Sequence, residues 1–169
     1  MANAAPSTPK PLATPTDLSP ADVKAVTACV NVLVADSFAL YVKTKNFHWH
    51  MNGPGFRDYH LLLDEQADQI FETIDVLAER VRKISGTTLT SIGHISRLQT
   101  IKDDDSAFVS GADMIRRLLA DNQHMAKAQR AAVELTEKHH DSPTSNFLQD
   151  MLDGTERRVW FLFEIAQHL

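Results

Sequence analysis

The sequence predicts an all-α protein: a four-helix bundle with a short helix in the crossover between the second and third long helices. Three observations predict it. Long apolar stripes recur at three- and four-residue intervals, the period of a helix with one buried face. Credible strands are absent, because no stretch alternates apolar and polar residues between turn signals. The chain breakers cluster at a few points, which leaves long uninterrupted segments between them.

Residues 1–18 are rich in Ala, Pro, Ser and Thr, with Pro6, Pro9, Pro11 and Pro15. Such a composition cannot build a core and reads as a flexible tail, with residues 19–169 as one bundle domain. Ser19 as N-cap, Pro20 in the first turn and Asp22 at the positive end open the first helix, expected to reach about Trp49. Gly53-Pro54-Gly55 then turns the chain back into a second helix over residues 56–84, ending near Gly86. Residues 86–109 form a long connection with a short helix around Ile92 to Leu98, which suits an up-down bundle with one crossover. Ser110 caps a third helix running to about His139. Ser142-Pro143 starts the fourth, which continues to the C-terminus.

The second helix is the most informative element. Phe56, His60, Leu63, Ala67, Ile70, Ile74, Leu77, Val81 and Ile84 follow strict 4-3 spacing, and with His60 taken as zero the others cluster at about 300° and mark the core face. His60, Asp64, Asp75 and Glu79 lie on a shoulder roughly 100° away. Imidazole with carboxylate and no thiolate is a donor mixture for iron, manganese or zinc. The pairs His60/Asp64 and Asp75/Glu79 are each spaced i, i+4, so each projects from neighbouring turns. Yet Asp64 and Asp75 are separated by roughly 16 Å of helix axis, too far to share one metal centre. Two antiparallel copies about a two-fold axis remove the conflict. The early pair of one chain then faces the late pair of its partner, giving two intersubunit sites per dimer.

Bulk properties narrow the function further. The hydrophobic fraction of 43% is that of a globular domain, and Cys29 is the only cysteine, so no intrachain disulfide forms and a reducing cytoplasm is expected. The apolar stretch around Val30 to Val42 is interrupted by Asn31, Asp36 and Ser37, and is expected to be too short and polar to cross a membrane. The N-terminus lacks the order of a signal peptide. A net charge of −5 opposes nonspecific binding to nucleic acid.

The run from Lys45 through His48-Trp49-His50 and Gly53-Pro54-Gly55 to Phe56, followed by His60-x-x-x-Asp64-Glu65 and Asp75-x-x-Ala78-Glu79-Arg80, resembles the Dps family of mini-ferritins. That resemblance implies a ferritin-like bundle assembled as a hollow dodecamer built from two-fold dimers. It implies a ferroxidase centre at the dimer interface, with His48, His60 and Asp64 from one chain and Asp75 and Glu79 from the other. Iron would be oxidised from Fe(II) with hydrogen peroxide or oxygen and stored as ferric mineral, with zinc or manganese as substitutes. The family suggests that Trp49 supplies electrons or absorbs oxidising equivalents; the alternative is an aromatic anchor in a helix interface. His50, about 200° from His48 on a helix, is expected in a surface or packing role.

The resemblance also favours an acidic inner wall of Glu65, Asp68 and Glu72, with Asp141, Asp150 and Asp153 as candidates for acidic entry pores. Direct DNA binding, with nucleoid association, is the competing main role. The tail offers only Lys10 and the terminal amine for it, so weak or no binding is expected. Asp103-Asp104-Asp105 reads as a solvated loop, Glu137 and His140 as a solvated helix end, and Met114, Met125 and Met151 as core filler.

Overall fold

The computed structural model of this chain describes residues 9–169; residues 1–8, the first part of the expected tail, lie outside the described residues. After a 3-10 turn at Lys10–Leu12, five helices follow: α1 (Pro20–His50), α2 (Phe56–Lys83), α3 (Ile92–Leu98), α4 (Gly111–Lys138) and α5 (Ser142–Ala166). No strand occurs among the described residues. The caps are local and follow the sequence signals. Ser19, Ser91 and Ser110 each accept the backbone N–H three residues on, from Asp22, His94 and Asp113.

Helices α1 and α2 form one closely packed hairpin and α4 and α5 another; α1 joins them by packing on α4, while α2 and α5 meet only slightly. The crossover helix α3 lies on α1. Covered on several sides, α1 buries Val30, Leu33, Val34, Ala35, Asp36 and Ser37 on successive turns and faces. A helix in that position must be apolar nearly all round. By length and composition α1 is therefore apolar enough to cross a bilayer, with a window of mean hydropathy 1.7, which corrects the expectation drawn from Val30 to Val42. More than half of that window is buried within the bundle, the environment its apolar residues serve here.

On α2 the stripe from Leu63 to Ile84 is buried as the periodicity predicts, with none of Leu63, Ala67, Ile70, Ile74, Leu77, Val81 and Ile84 more than 7% exposed. Phe56, the first residue of α2, departs from it at 47% exposed. The C-terminus of α2 closes with Gly86 N–H donating to Val81 O at 2.8 Å and Ser85 in the left-handed region at φ 71°. Gly86 is needed for closeness: a Cβ there would collide with the Thr27 hydroxyl.

Buried polar groups set how the segments dock. The fully buried Asp36 carboxylate accepts from Thr100 N (2.5 Å), Thr100 Oγ1 (2.7 Å) and Ile101 N (2.9 Å), which fastens the crossover to the middle of α1. Asp141, 1% exposed, caps α5 through Thr144 N and takes Nη2 of Arg80 at 2.5 Å. Within the chain it is thus committed to holding the end of α2, whereas the other pore candidates, Asp150 and Asp153, are exposed. Asp104 likewise is not merely solvated. The Arg117 guanidinium 2.5 Å away and the Ser106 hydroxyl and N–H outweigh its burial and hold its carboxyl below the usual range. Within the segment preceding α1, Leu12 O accepts from Arg82 at 2.6 Å and Leu18 packs against the core.

Candidate metal centre

The α1–α2 turn brings the two histidines of the motif face to face. Gly53 and Gly55 take φ of 86° and 75°, a reversal that L side chains rarely permit, and the antiparallel return sets His48 opposite His60. Their rings stack 3.8 Å apart at 21°. His48 Nδ1 donates to His60 O at 2.7 Å, and His60 Nδ1 donates to His48 O at 2.9 Å. Carbonyl oxygens only accept, so both Nδ1 atoms carry a proton. In the neutral imidazole this tautomer leaves Nε2 as the lone-pair donor, the form in which imidazole ligates a metal. Phe56 lies 5.2 Å from the His60 ring and covers it.

Asp64 completes this end of the site. Its Oδ1 stands 3.7 Å from His48 Nε2 and 2.6 Å from Lys45 Nζ. The Lys45 ammonium, through its hydrogen bond first and its charge second, holds the Asp64 carboxyl below the usual range, with the two imidazoles adding smaller effects. The same bond raises the Lys45 amine. Lys45 opens the motif run, yet reading the motif gave it no role. Its signal was present: a hairpin that sets residue 48 against residue 60 sets 45 against about 64.

Asp75 and Glu79 are exposed on the same shoulder of α2, three and four turns further along. Glu79 pairs there only with Lys83, at 3.1 Å. One chain therefore groups His48, His60 and Asp64 and leaves Asp75 and Glu79 roughly 16 Å away along the axis. Among the described residues no set of three His, Cys, Asp or Glu side chains forms a metal cage within the chain. Trp49 is 63% exposed on α1, beside His48 in sequence. His50 donates Nδ1–H to Asn46 O at 2.8 Å and points away from the histidine stack, as its helical phase predicts.

This bundle, with histidines and carboxylates on its first hairpin, defines a protein of the ferritin-like class, and the ferritin-like domain family matches residues 28–169. Three likenesses narrow the class. The DNA protection during starvation protein of Brevibacillus brevis is 31% identical over 137 residues, 81% of this chain and 91% of that protein. DpsC from Streptomyces coelicolor superposes with a TM-score of 0.87 at 26% identity, over 94% of this chain and 91% of that one. The Dps protein from Vibrio cholerae O1, a member of a broad superfamily of ferritin-like diiron-carboxylate proteins, gives 0.83 at 25% identity, over 90% and 96%. The chain belongs to the Dps family.

Proposed function

We propose that this protein is a ferroxidase and iron-storage mini-ferritin, oxidising Fe(II) at dinuclear sites shared between two chains. The observation that carries this reading is the reciprocally bonded pair His48 and His60, with both Nε2 atoms free beside the ionised Asp64. Imidazole suits Fe(II), and the added carboxylates favour the harder Fe(III) that oxidation produces. The second half of the site comes from the partner. Pairing His60 with Glu79, and Asp64 with Asp75, centres both pairs on the step between Gln69 and Ile70, as a single two-fold axis requires.

In the reaction two Fe(II) ions, the substrate, each give up one electron. The O–O bond of one hydrogen peroxide breaks, two protons are taken up and two waters form. The residues of the chain bind and orient: His48 and His60 are locked in one tautomer, and Lys45 keeps the Asp64 carboxylate charged until iron replaces the ammonium as its partner. Trp49, exposed and next to His48 in sequence, would donate an electron or anchor the neighbouring chain. Zinc or manganese would fill the same donors as substitutes.

Storage follows from assembly. Twelve chains, built from six such dimers, would enclose ferric mineral within a cytoplasmic shell, with exposed Asp68 and Glu72 contributing acidic groups to its inner wall. Removing Fe(II) and peroxide together protects DNA by suppressing hydroxyl radical. Stopped-flow absorbance of the metal-free protein mixed with Fe(II), then with peroxide or with oxygen, is expected to show oxidation well above the buffer rate. Oxidation no faster than in buffer with either oxidant would remove the ferroxidase reading.

DNA condensation as the main role is the second reading, and charge opposes it. A dodecamer carries about −60, and one tail lysine per chain neutralises few phosphates. Gel shifts of plasmid DNA across a salt series are expected to show weak binding at low ionic strength and none near physiological salt. A complex retained at physiological salt would make the nucleoid role primary.

A further inference from the structure

The weak meeting of α2 and α5 leaves a cleft of about 280 Å³, away from the histidine pair. Its walls are Gln69, Glu72 and Thr73 from α2, and Asp150, Met151, Gly154, Arg157 and Arg158 from α5. At its floor is an unusual group. Arg158 is 5% exposed, yet no carboxylate pairs with it among the described residues. Its Nε donates to Asn122 Oδ1 at 2.9 Å and its Nη2 to Thr155 Oγ1 at 2.7 Å, both neutral acceptors. Asn122 is itself held by its Nδ2–H bond to Leu118 O, so its oxygen stays aimed at the guanidinium. Nη1 has no acceptor among the described residues and lies at the edge of the cleft beside Gly154.

A guanidinium removed from water without a counter-charge is unfavourable, enough here that burial pulls its pKa down to about 10. Buried cations are ordinarily paired, and a planar fork with free N–H groups is suited to two oxygens of an oxyanion. A second cation, Arg157, stands at the same cleft with half its side chain exposed, held loosely by Glu65 at 3.4 Å. The rim acids Glu72 and Asp150 decide which oxyanion fits. A carboxylate repels a bare dianion but accepts a hydrogen bond from a protonated oxygen. Phosphate near neutral pH carries such a P–O–H group; sulfate does not.

We propose that the α2–α5 cleft is a binding site for hydrogen phosphate, with the Arg158 guanidinium at its floor, Arg157 beside it, and one of the two rim carboxylates, Glu72 or Asp150, accepting from the single phosphate hydroxyl. The site is independent of iron oxidation, and its test uses no iron. Metal-free, phosphate-free assembled protein is titrated with inorganic phosphate, and separately with sulfate at matched ionic strength, by calorimetry. Saturable binding of about one phosphate per chain is expected, at least tenfold tighter than sulfate. Absence of phosphate binding, or equal binding of the two anions, overturns the proposal.

Two variants locate the site. Arg158→Met is expected to lose phosphate binding at least tenfold, but it also alters the bundle interior. Gly154→Asp leaves Arg158 in place: a Cβ at residue 154 would lie 3.9 Å from Arg158 Nη1, in ordinary contact. The added carboxylate would supply the missing counter-charge internally. Gly154→Asp should therefore lose phosphate binding while its Tm rises in phosphate-free buffer and no longer responds to phosphate. Unchanged phosphate affinity in Gly154→Asp overturns the assignment, whatever the fate of Arg158→Met.

Discussion

Chains carrying His60→Ala and chains carrying Asp75→Ala are expected to be inactive apart and active when mixed. With either variant alone, every intersubunit site lacks one ligand. In a mixed dimer both lesions fall in one site, because the altered position 60 of one chain and the altered position 75 of the other face each other there. The second site keeps all five ligands. Random pairing makes about half the dimers mixed, so about a quarter of all sites regain full composition. The measurement is stopped-flow Fe(II) oxidation after co-refolding the two variants, compared with each refolded alone. Neither residue belongs to the buried stripe of α2, so both variants should fold. A mixture no faster than the average of its components would place all five ligands within one chain and end the shared-site reading.

Where one residue's own neighbours along the helix determine its fate, the sequence was readable. Leu63, Ala67, Ile70, Ile74, Leu77 and Val81 are buried because 3.6-residue periodicity alone puts them on one side. Ser19 and Ser110 cap because a short hydroxyl before a helix has few other uses. The carboxylates of the candidate site were identifiable from their own spacing: Asp64 stands four residues from His60 and Glu79 four from Asp75, both pairs off the core stripe. What escaped depended on contacts distant in sequence. Asp141 looks like any surface acid until Arg80, 61 residues away, reaches it. Asp104 meets Arg117 only once the crossover is folded onto the bundle. Lys45 opposite Asp64 could have been deduced from hairpin register, whereas the buried Arg158 could not. A charged residue in an amphipathic segment is read as exposed unless its neutral partners Asn122 and Thr155 are known in advance.

Phe71→Lys is expected to abolish Fe(II) oxidation without touching a ligand. Phe71 is 54% exposed on α2, within two residues of the proposed two-fold centre between Gln69 and Ile70. Its ring lies 5.1 Å from that of Tyr41, and Leu61 on α2 and Val42 on α1 are likewise about half exposed. Exposed apolar groups clustered around carboxylates mark a surface awaiting a partner. In a symmetric dimer one substitution acts twice. Two Phe side chains lose roughly half of their burial value each, about 3 kcal/mol together, or about a hundredfold in dimer affinity. Two lysines brought near the axis would repel each other and add to that loss. The bundle itself should survive, because Phe71 lies outside the buried core of the chain. Sedimentation velocity should therefore show smaller species with unchanged helical circular dichroism, and stopped-flow absorbance should show Fe(II) oxidation near the buffer rate. A dissociated Phe71→Lys protein that still oxidises Fe(II) at the wild-type rate would prove that a single chain is sufficient, and the pairing of Asp64 with the partner's Asp75 would have to be abandoned.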